Sequence, residues 1–277
     1  MEDNRIVKTK HKLLAWIYNR PRAINLLFKA LRVIMRGGRI PLMWRFHPFL
    51  KPQNTQIVNL PINAEIHTES LPLPPVVLKE LIKRAKYLHV LDRCPCRVGN
   101  DCKKHSHDIA CLLLGETGVD VVPPMSRPVS PEEACAHVDR AIENGLVPLV
   151  ARLRADHYIF LTQDNRRLIA ACFCCDCCCG LGAYSLVQPE RVAPVYHRME
   201  GLEIEVTDHC TGCGTCSEIC YMKAILVENG RARHTEACRG CGRCASACPN
   251  DAVEMRLTDP AYVEKIVEKY LSLAKID

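Results

Sequence analysis

Eight of the nineteen cysteines fall into two runs of identical spacing near the C-terminus. The first run is Cys210-x2-Cys213-x2-Cys216-x3-Cys220, and the second is Cys238-x2-Cys241-x2-Cys244-x3-Cys248. Each run brings three thiolates from one tight loop and a fourth from the next helical turn, which suits a cubane iron–sulfur cluster with four cysteine ligands. A structural zinc site would instead use one C-x2-C pair and a second pair well downstream. The spacing therefore predicts iron–sulfur clusters that carry electrons.

Residues 201–257, about a fifth of the chain, resemble bacterial-type ferredoxins with two [4Fe-4S] clusters. In that family each run gives its fourth cysteine to the other cluster. The resemblance implies one cluster held by Cys210, Cys213, Cys216 and Cys248, and a second held by Cys238, Cys241, Cys244 and Cys220. The family usually has proline after both fourth cysteines, but Tyr221 follows Cys220 here. We expect this change to alter the surroundings of one cluster without removing a ligand.

The other eleven cysteines lie within residues 65–200. A first group, which could complete one further metal site by itself, consists of Cys94, Cys96, Cys102 and Cys111. A second group comes from six cysteines within eight residues, and its candidate ligands are Cys174, Cys175, Cys177, Cys178 and Cys179. The two groups could hold separate clusters or share one site. The sequence predicts at least one further iron–sulfur cluster here, with zinc, redox-active disulfides or free thiols as the alternatives.

Other residues near these groups have simpler expected roles. Cys135 lies inside a helical pattern and is expected to be a core residue. His105, His107 and Asp108 lie within the first group and are minor candidates for ligands or proton donors. The dipeptide Cys178-Cys179 before Gly180 is similar to the CCG domains of heterodisulfide-reductase-type subunits, which hold non-cubane clusters, although the spacing elsewhere differs. No P-loop, radical-SAM cysteine run or flavin fingerprint occurs in the chain.

The patterns around the cysteines predict an α+β protein. A ferredoxin-type two-cluster domain at residues 201–257 follows a mixed α/β cysteine-rich domain at residues 65–200. A basic helical arm at residues 1–64 precedes them, and residues 258–277 form a C-terminal helix. In the cysteine-rich domain we expect a helix after Pro74, a second helix begun by a capping box at Ser130, and strands at 88–91, 147–153, 158–162 and 168–171. The ferredoxin segment should contain a strand at 202–206 and a hairpin that turns at 229–230.

The N-terminal arm is strongly basic. Residues 1–64 hold twelve Lys and Arg residues but only two acidic residues, so their net charge is +10. Because the net charge of the whole chain is +6, the remaining residues carry −4. Within the arm, a predicted helix between Arg22 and Arg36 has an apolar side formed by Leu26, Leu27, Ala30, Leu31 and Ile34. This helix could pack on the protein itself. Residues 5–49 could also dock onto an acidic redox partner or an anionic membrane surface. Nucleic acid is not expected, because no binding motif accompanies the charge.

Location and function follow from the cysteine chemistry. Cluster ligands must stay thiolates, and no signal peptide or long apolar stretch occurs, which favours a cytoplasmic or inner-face peripheral location in an anaerobic host. The leading hypothesis is an electron-transfer protein or redox-complex subunit that relays single electrons through two [4Fe-4S] clusters to a further cluster in the middle domain. The alternatives are a ferredoxin-fed reductase with catalysis around residues 174–179, and an iron–sulfur redox sensor. No acid–base or nucleophile set can be named, so enzymatic activity is left open.

Overall fold

The computed structural model describes residues 16–18, 20–62, 65–66, 73–116, 125–153, 156, 165–259 and 261–276. Both helices and strands are present, in agreement with an α+β class. The helices are α1 (Pro21–Gly37), α2 (Leu73–Arg84), α3 (Pro95–Gly99), α4 (Pro131–Glu143), α5 (Pro189–Val192), α6 (Thr215–Glu218), α7 (Arg243–Ser246) and α8 (Tyr262–Leu273). Short 3₁₀ segments lie at Met43–Phe46, Pro48–Leu50, Asn165–Arg167 and Gly180–Leu186.

Twelve strands form three sheets within the described residues. The strands are β1 (Thr55–Asn59), β2 (Glu65–Ile66), β3 (Leu88–Leu91), β4 (Leu112–Leu114), β5 (Ser126–Pro128), β6 (Val147–Leu153), β7 (Ile169–Cys174), β8 (Tyr196–His197), β9 (Leu202–Val206), β10 (Ile225–Glu228), β11 (Arg231–His234) and β12 (Val253–Leu257). The largest sheet has seven strands in the order β5-β3-β4-β7-β6-β1-β8. Neighbouring strands within this sheet are antiparallel, except that β1 and β8 are parallel.

The sequence assigns residues 55–59 to the N-terminal arm, whereas the structure places them inside the seven-stranded sheet as β1. The strand forms because Ile57 and Val58 are β-branched and point to opposite faces, and all five residues are buried. The buried side chain of Asn59, the last residue of β1, also has a hydrogen-bond partner, since its Nδ2 donates to the carbonyl oxygen of Arg239 at 2.9 Å. Residues 55–59 are therefore part of the scaffold that carries the middle cysteines.

The seven-stranded sheet is covered on both faces. We call the side that carries α2, α4 and α8 the α2 face, and its core includes Leu78, Val138 and Tyr270. The opposite side, the α1 face, carries α1, α3 and the 3₁₀ segment at Gly180–Leu186. Successive side chains of a strand point to opposite faces of the sheet, so each residue can be assigned to one face. In β7, Ile169, Ala171 and Phe173 pack on the α2 face, whereas Ala170, Cys172 and Cys174 pack on the α1 face.

Several predicted elements are confirmed. The helix predicted after Ser130 is α4, with the reciprocal capping box in which Glu133 N donates to Ser130 Oγ at 3.2 Å and Ser130 N donates to Glu133 Oε2 at 2.9 Å. Strands β3 and β6 match the predicted ranges 88–91 and 147–153. The strand predicted at 168–171 is β7, which continues to Cys174 because the cysteines keep the alternation. The strand predicted at 158–162 lies outside the described residues.

The predicted apolar side of the N-terminal helix is partly wrong. Helix α1 forms as expected, but it packs on the protein through Ile24, Phe28, Leu31 and Met35. These positions are spaced by three or four residues and therefore share one face. Leu26, Leu27 and Ile34 of the predicted side are 68%, 56% and 47% exposed. The helix thus has a second apolar face that is not buried against the body.

The ferredoxin-like segment is tied to the rest of the fold. Its three-stranded sheet has the order β2-β12-β9, so residues 65–66 pair with β12. The predicted hairpin is confirmed as β10 and β11, with Asn229 and Gly230 at φ 51° and 74° in its turn. The C-terminal helix α8 packs against α2, and Tyr270 Oη donates to the carbonyl oxygen of Val150 at 2.8 Å. Among the described residues, no helix combines the length and apolar character needed to cross a membrane.

Candidate iron–sulfur and thiolate sites

Two cavities lie inside the ferredoxin-like segment, one beside each cysteine run. The first is lined by the first three cysteines of the first run and the last cysteine of the second: Cys210, Cys213, Cys216 and Cys248. The second is lined by Cys216 and by the reciprocal set of Cys220, Cys238, Cys241 and Cys244. Cysteines from both runs therefore surround each cavity.

Backbone donors point at the sulfurs in both cavities. Ala232 N and Ala252 N lie 3.4 Å from Cys210 Sγ and 3.3 Å from Cys248 Sγ. In the second cavity, Ala224 N donates to Cys220 Sγ at 3.3 Å. Donors of this kind stabilise a thiolate more than a neutral thiol, and they tune the potentials of iron–sulfur clusters. The surroundings of these sulfurs thus fit anionic ligands of a metal cluster.

Two glycines at equivalent positions shape the cluster loops. Gly214 and Gly242 precede α6 and α7 and have φ values of 85° and 81°. Glycine adopts this left-handed conformation without the steric cost that a Cβ brings. The two sites differ in their neighbours, because a Cβ on Gly242 would lie 1.8 Å from the carbonyl oxygen of Ile62, whereas a Cβ on Gly214 would meet nothing within 4 Å. The second loop is therefore packed directly on the scaffold.

Tyr221, which stands where the family usually has proline, joins the second loop to the sheet. Its hydroxyl lies 2.5 Å from Tyr196 Oη and accepts a hydrogen bond from Asn59 Nδ2 at 3.0 Å. The Arg243 guanidinium lies over its ring, 5.5 Å from the centroid. Tyr221 thus anchors the turn after Cys220 to β1 and β8.

In the middle region, four cysteines form a compact group that we call the four-thiol group: Cys102, Cys175, Cys177 and Cys178. Their Sγ atoms all lie within 4.8 Å of one another, and the Cys102 and Cys177 sulfurs are 3.6 Å apart. The structure does not bring Cys94, Cys96, Cys102 and Cys111 together as one compact set; it instead joins members of the two groups, which is the other arrangement that the sequence left open. The reason is that Cys102 lies on the α2 face with the turn after β7, whereas Cys94 and Cys111 lie on the α1 face.

Six of the other seven middle cysteines converge on the α1 face, in a place that we call the six-thiol chamber: Cys94, Cys96, Cys111, Cys172, Cys174 and Cys179. Cys111 Sγ lies 3.4 Å from Cys172 Sγ, and Cys179 Sγ lies 2.8 Å from Cys174 Sγ. Cys172 is the one member of the chamber that was not among the predicted ligands. The alternation of β7 is the signal that identifies it, because Cys172 and Cys174 are two residues apart and share a face.

Hydrogen bonds between neighbouring thiols favour thiolates inside the chamber. A hydrogen bond from Cys96, against the opposing effect of burial, lowers the pKa of Cys94 to about 6. In the same way, the hydrogen bond with Cys174 lowers the pKa of Cys179. The partner thiols in both pairs, Cys96 and Cys174, have raised pKa values, because the hydrogen bond and burial favour their neutral form. Part of the chamber is therefore ready to bind a metal near neutral pH.

Two buried arginines supply positive charge beside the middle cysteines. Arg97 is fully buried and donates to the carbonyl oxygens of Ser106, Ile109 and Phe173 at 2.8, 2.7 and 2.6 Å. Burial opposes its charge, but the thiols of Cys94 and Cys175 raise its pKa. Because a buried cation needs a negative partner, the position of Arg97 fits anionic thiolates on both faces of the sheet.

Arg243 is the second buried cation, and it lies between the second ferredoxin cavity and the six-thiol chamber. It lines that cavity, and its Nη2 donates to the carbonyl oxygen of Cys174 at 2.8 Å. Burial opposes its charge, while the thiols of Cys241, Cys174 and Cys179 raise its pKa. Its Nη1 is buried without an oxygen or nitrogen partner among the described residues. Sulfur atoms of bound clusters would satisfy such a donor.

The minor candidates near Cys102 have other partners. His107 Nε2 lies 3.1 Å from the carbonyl oxygen of Cys102, and Asp108 pairs with Ser106 and Arg140. His105 lies 3.6 Å from Asp176. None of the three belongs to the four-thiol group. Cys135 packs against the core from α4, as predicted.

Comparison with known proteins bears on the C-terminal segment. A family model for the 4Fe-4S binding domain matches residues 233–254, which contain the second cysteine run. Comparison with curated proteins finds no match for the chain, and comparison with solved structures finds none either. The chain therefore contains an iron–sulfur segment of the ferredoxin type, and electron transfer is the class of function that this segment supports.

Proposed function

We propose that the chain is an electron-transfer protein with two [4Fe-4S] clusters in residues 201–257 and a further iron–sulfur cluster in the six-thiol chamber. The first cluster takes Cys210, Cys213, Cys216 and Cys248 as ligands, and the second takes Cys238, Cys241, Cys244 and Cys220. A redox partner protein supplies single electrons, and a second one-electron acceptor removes them. The electron that the donor supplies would leave to the acceptor, so the chain would return to its starting state.

The observation that carries this proposal is the position of Arg243. Its side chain lines the second ferredoxin cavity and also contacts Cys174 of the six-thiol chamber. Tyr221 contacts the same guanidinium and is half-buried beside the same thiols. The two candidate sites are therefore separated by a single layer of side chains. Such contiguity supports passage of electrons from the ferredoxin segment to the chamber.

The residues of the chain have defined roles in this proposal. Cysteine thiolates hold the clusters, and the donors on Ala224, Ala232 and Ala252 stabilise the negative sulfurs. Arg243 offsets negative charge between the two candidate sites. Its buried surroundings exclude water from the space between them. When bound, the clusters supply the one-electron chemistry. A chamber with six thiols offers two more ligands than one cubane needs, which favours a larger cluster that uses all six.

Iron and acid-labile sulfide analysis of the anaerobically purified chain tests the proposal. The ferredoxin segment alone accounts for about eight iron atoms per chain, so the intact chain should contain clearly more. A variant with Cys96→Ser and Cys172→Ser should return to about eight. Cys135→Ser, which changes a cysteine outside the candidate sites, is the matched control and should keep all the iron. About eight iron atoms in both the intact chain and the double variant would disprove the chamber cluster.

A further inference from the structure

We propose that the four-thiol group binds one zinc ion, separate from any iron–sulfur cluster. The ligands are Cys102, Cys175, Cys177 and Cys178, which come from two segments of the chain on the α2 face. Four thiolates complete a tetrahedral coordination shell and leave no open position, so the site is structural rather than catalytic. This inference does not depend on the proposed electron relay.

The spacing of the sulfurs favours a single ion. Zinc–sulfur bonds of about 2.3 Å in a tetrahedron place the sulfurs about 3.8 Å apart. The Sγ atoms of the four-thiol group lie within 4.8 Å of one another, and those of Cys102 and Cys177 are 3.6 Å apart. In a cubane each thiolate binds a different iron, so the four sulfurs lie farther apart. Among the described residues, no other set of three or more metal-ligating side chains is this compact, the ferredoxin cysteines included.

The surroundings suit a negatively charged tetrathiolate ion. Cys178 N donates to Cys175 Sγ at 3.3 Å, which offsets charge on that sulfur. Lys104 pairs with Asp176 at 3.1 Å, and this pair keeps the nearby carboxylate engaged outside the sulfur group. Cys102, Cys175 and Cys178 are buried in the core, and Cys177 is exposed at its edge. Three of the four ligands are therefore shielded, and no carboxylate or imidazole of the described residues joins the group.

The position of the zinc explains why the protein would need it. Cys175, Cys177 and Cys178 lie in the turn directly after β7, and Cys102 follows α3. The same turn carries Cys174 and Cys179 of the six-thiol chamber on the opposite face. One ion that joins Cys102 to this turn fixes the backbone from which those two chamber sulfurs extend. The zinc thus positions the chamber without taking part in electron transfer.

Metal analysis and zinc X-ray absorption on the intact, anaerobically purified chain test this directly. We expect about one zinc per chain in addition to the iron, with four sulfur neighbours at about 2.3 Å. Absence of zinc, or a zinc shell that contains nitrogen or oxygen, would overturn the inference. The measurement needs no variant and is separate from the iron count that tests the proposed function.

Variants give a second and independent readout. Cys177 is exposed, so Cys177→Ser should be tolerated by the fold and should lose zinc by at least tenfold, while the iron and sulfide of the ferredoxin segment stay. Cys102→Ser should behave in the same way, and Cys135→Ser is the control that keeps both metals. Loss of iron and sulfide from Cys177→Ser with zinc retained would show that the four-thiol group holds a cluster instead.

The N-terminal segment provides a different observation. Large apolar side chains on α1 and the following turn form what we call the N-terminal apolar surface: Leu26, Leu27, Val33, Ile34, Ile40, Leu42, Met43 and Phe46, which are 47–80% exposed. Residues 16–62 contain eight Lys and Arg residues and no Asp or Glu. Large exposed apolar side chains that gather in one segment of the chain are typical of interaction sites. The positive charge of this segment favours an anionic partner.

We infer that the N-terminal apolar surface binds an anionic lipid bilayer. The most exposed side chains, Leu42 and Phe46 at 70% and 80%, project from a short 3₁₀ turn beside Arg39 and Arg45. A bilayer accepts such protruding side chains at the level of its acyl chains, while the cations bind the headgroups. A protein partner would need a pocket for each protruding group, and it would have to be acidic around those pockets.

Sedimentation of the intact protein with lipid vesicles tests this inference. Binding is expected to vesicles that contain phosphatidylglycerol and to be weak with phosphatidylcholine alone or in high salt. Phe46→Ser should weaken binding about tenfold, because burial of one such side chain contributes that much. Leu226→Ser, at another exposed apolar residue on the ferredoxin hairpin, should change nothing. Absence of vesicle binding, or binding of equal strength in Phe46→Ser, would overturn the inference and leave a protein partner for this surface.

Discussion

The Arg243 side chain donates a hydrogen bond from Nη2 to the carbonyl oxygen of Cys174 at 2.8 Å. Arg243 begins the helix that follows the second cysteine loop, and Cys174 ends the strand that enters the middle cysteines. One contact therefore joins two parts of the sequence that lie 69 residues apart. Because the guanidinium is buried and faces thiols on both sides, it links the electrostatics of the two candidate sites.

Replacement of Arg243 should change the potential of the second ferredoxin site. A reduced cluster carries one more negative charge, so a nearby cation favours reduction. Arg243→Gln should therefore make this potential more negative, on the order of 50–100 mV, whereas Arg243→Lys retains the charge and should shift it less. A potentiometric titration followed by EPR measures both. An equal shift in the two variants would show that Arg243 acts through packing and not through charge.

The two glycines before α6 and α7 offer a matched pair of substitutions. Alanine at either position has the same unfavourable positive φ, at a cost of about 1–2 kcal/mol. In Gly242→Ala the new Cβ also collides with the backbone of Ile62, so this loop must move and should lose its cluster. Gly214→Ala should keep both clusters. Spin counts from EPR after reduction and the midpoint of thermal unfolding compare the two variants. Similar results for both would contradict the packing of Gly242 against Ile62.

His197 should make the protein sensitive to mild acid. Burial, together with the positive charges of Lys269 and Arg239, lowers the pKa of His197 to about 4 from 6.5. As the pH falls from 6.5 toward 4, the unfolded chain takes up a proton that the folded chain does not, so the free energy of unfolding decreases. We expect a loss of about 1 kcal/mol between pH 7 and 5, reduced from the fully buried value because the ring is only partly buried.

The variant His197→Gln removes this titration. The midpoint of urea denaturation should fall more between pH 7 and 5 in the parent protein than in the variant. Cluster loss at low pH affects both proteins, so the difference between them isolates the histidine. The same drop in both would mean that His197 titrates near its ordinary value.

Much of the fold follows from local sequence signals. The capping box at Ser130, the Asn229-Gly230 turn and the run at 147–153 each specify their element, because local hydrogen bonds and side-chain alternation decide these structures. The cysteine runs of the ferredoxin-like segment are equally local, and the family comparison covers the second of them. These features need no knowledge of distant parts of the chain.

The grouping of the middle cysteines depends on long-range pairing and could not be obtained from spacing. Cys102 joins residues 175–178, which are more than 70 residues away, because α3 and the end of β7 meet at the sheet. Cys172 belongs to the chamber because side chains alternate along β7, which continues beyond residue 171, the predicted end of this strand. Helix α1 likewise showed its period in the sequence, but which of its two apolar faces is buried depends on contacts with α3 and residues 180–186.

EPR spectra of the intact chain during stepwise reduction test the central claim most directly. If the chamber cluster lies next to the second ferredoxin cluster, their unpaired spins interact, and the signals of the fully reduced protein should broaden or split. The variant with Cys96→Ser and Cys172→Ser should lose this interaction while it keeps the two ferredoxin signals. Spectra of the intact chain that match those of the variant at every stage would contradict an electron relay through the six-thiol chamber.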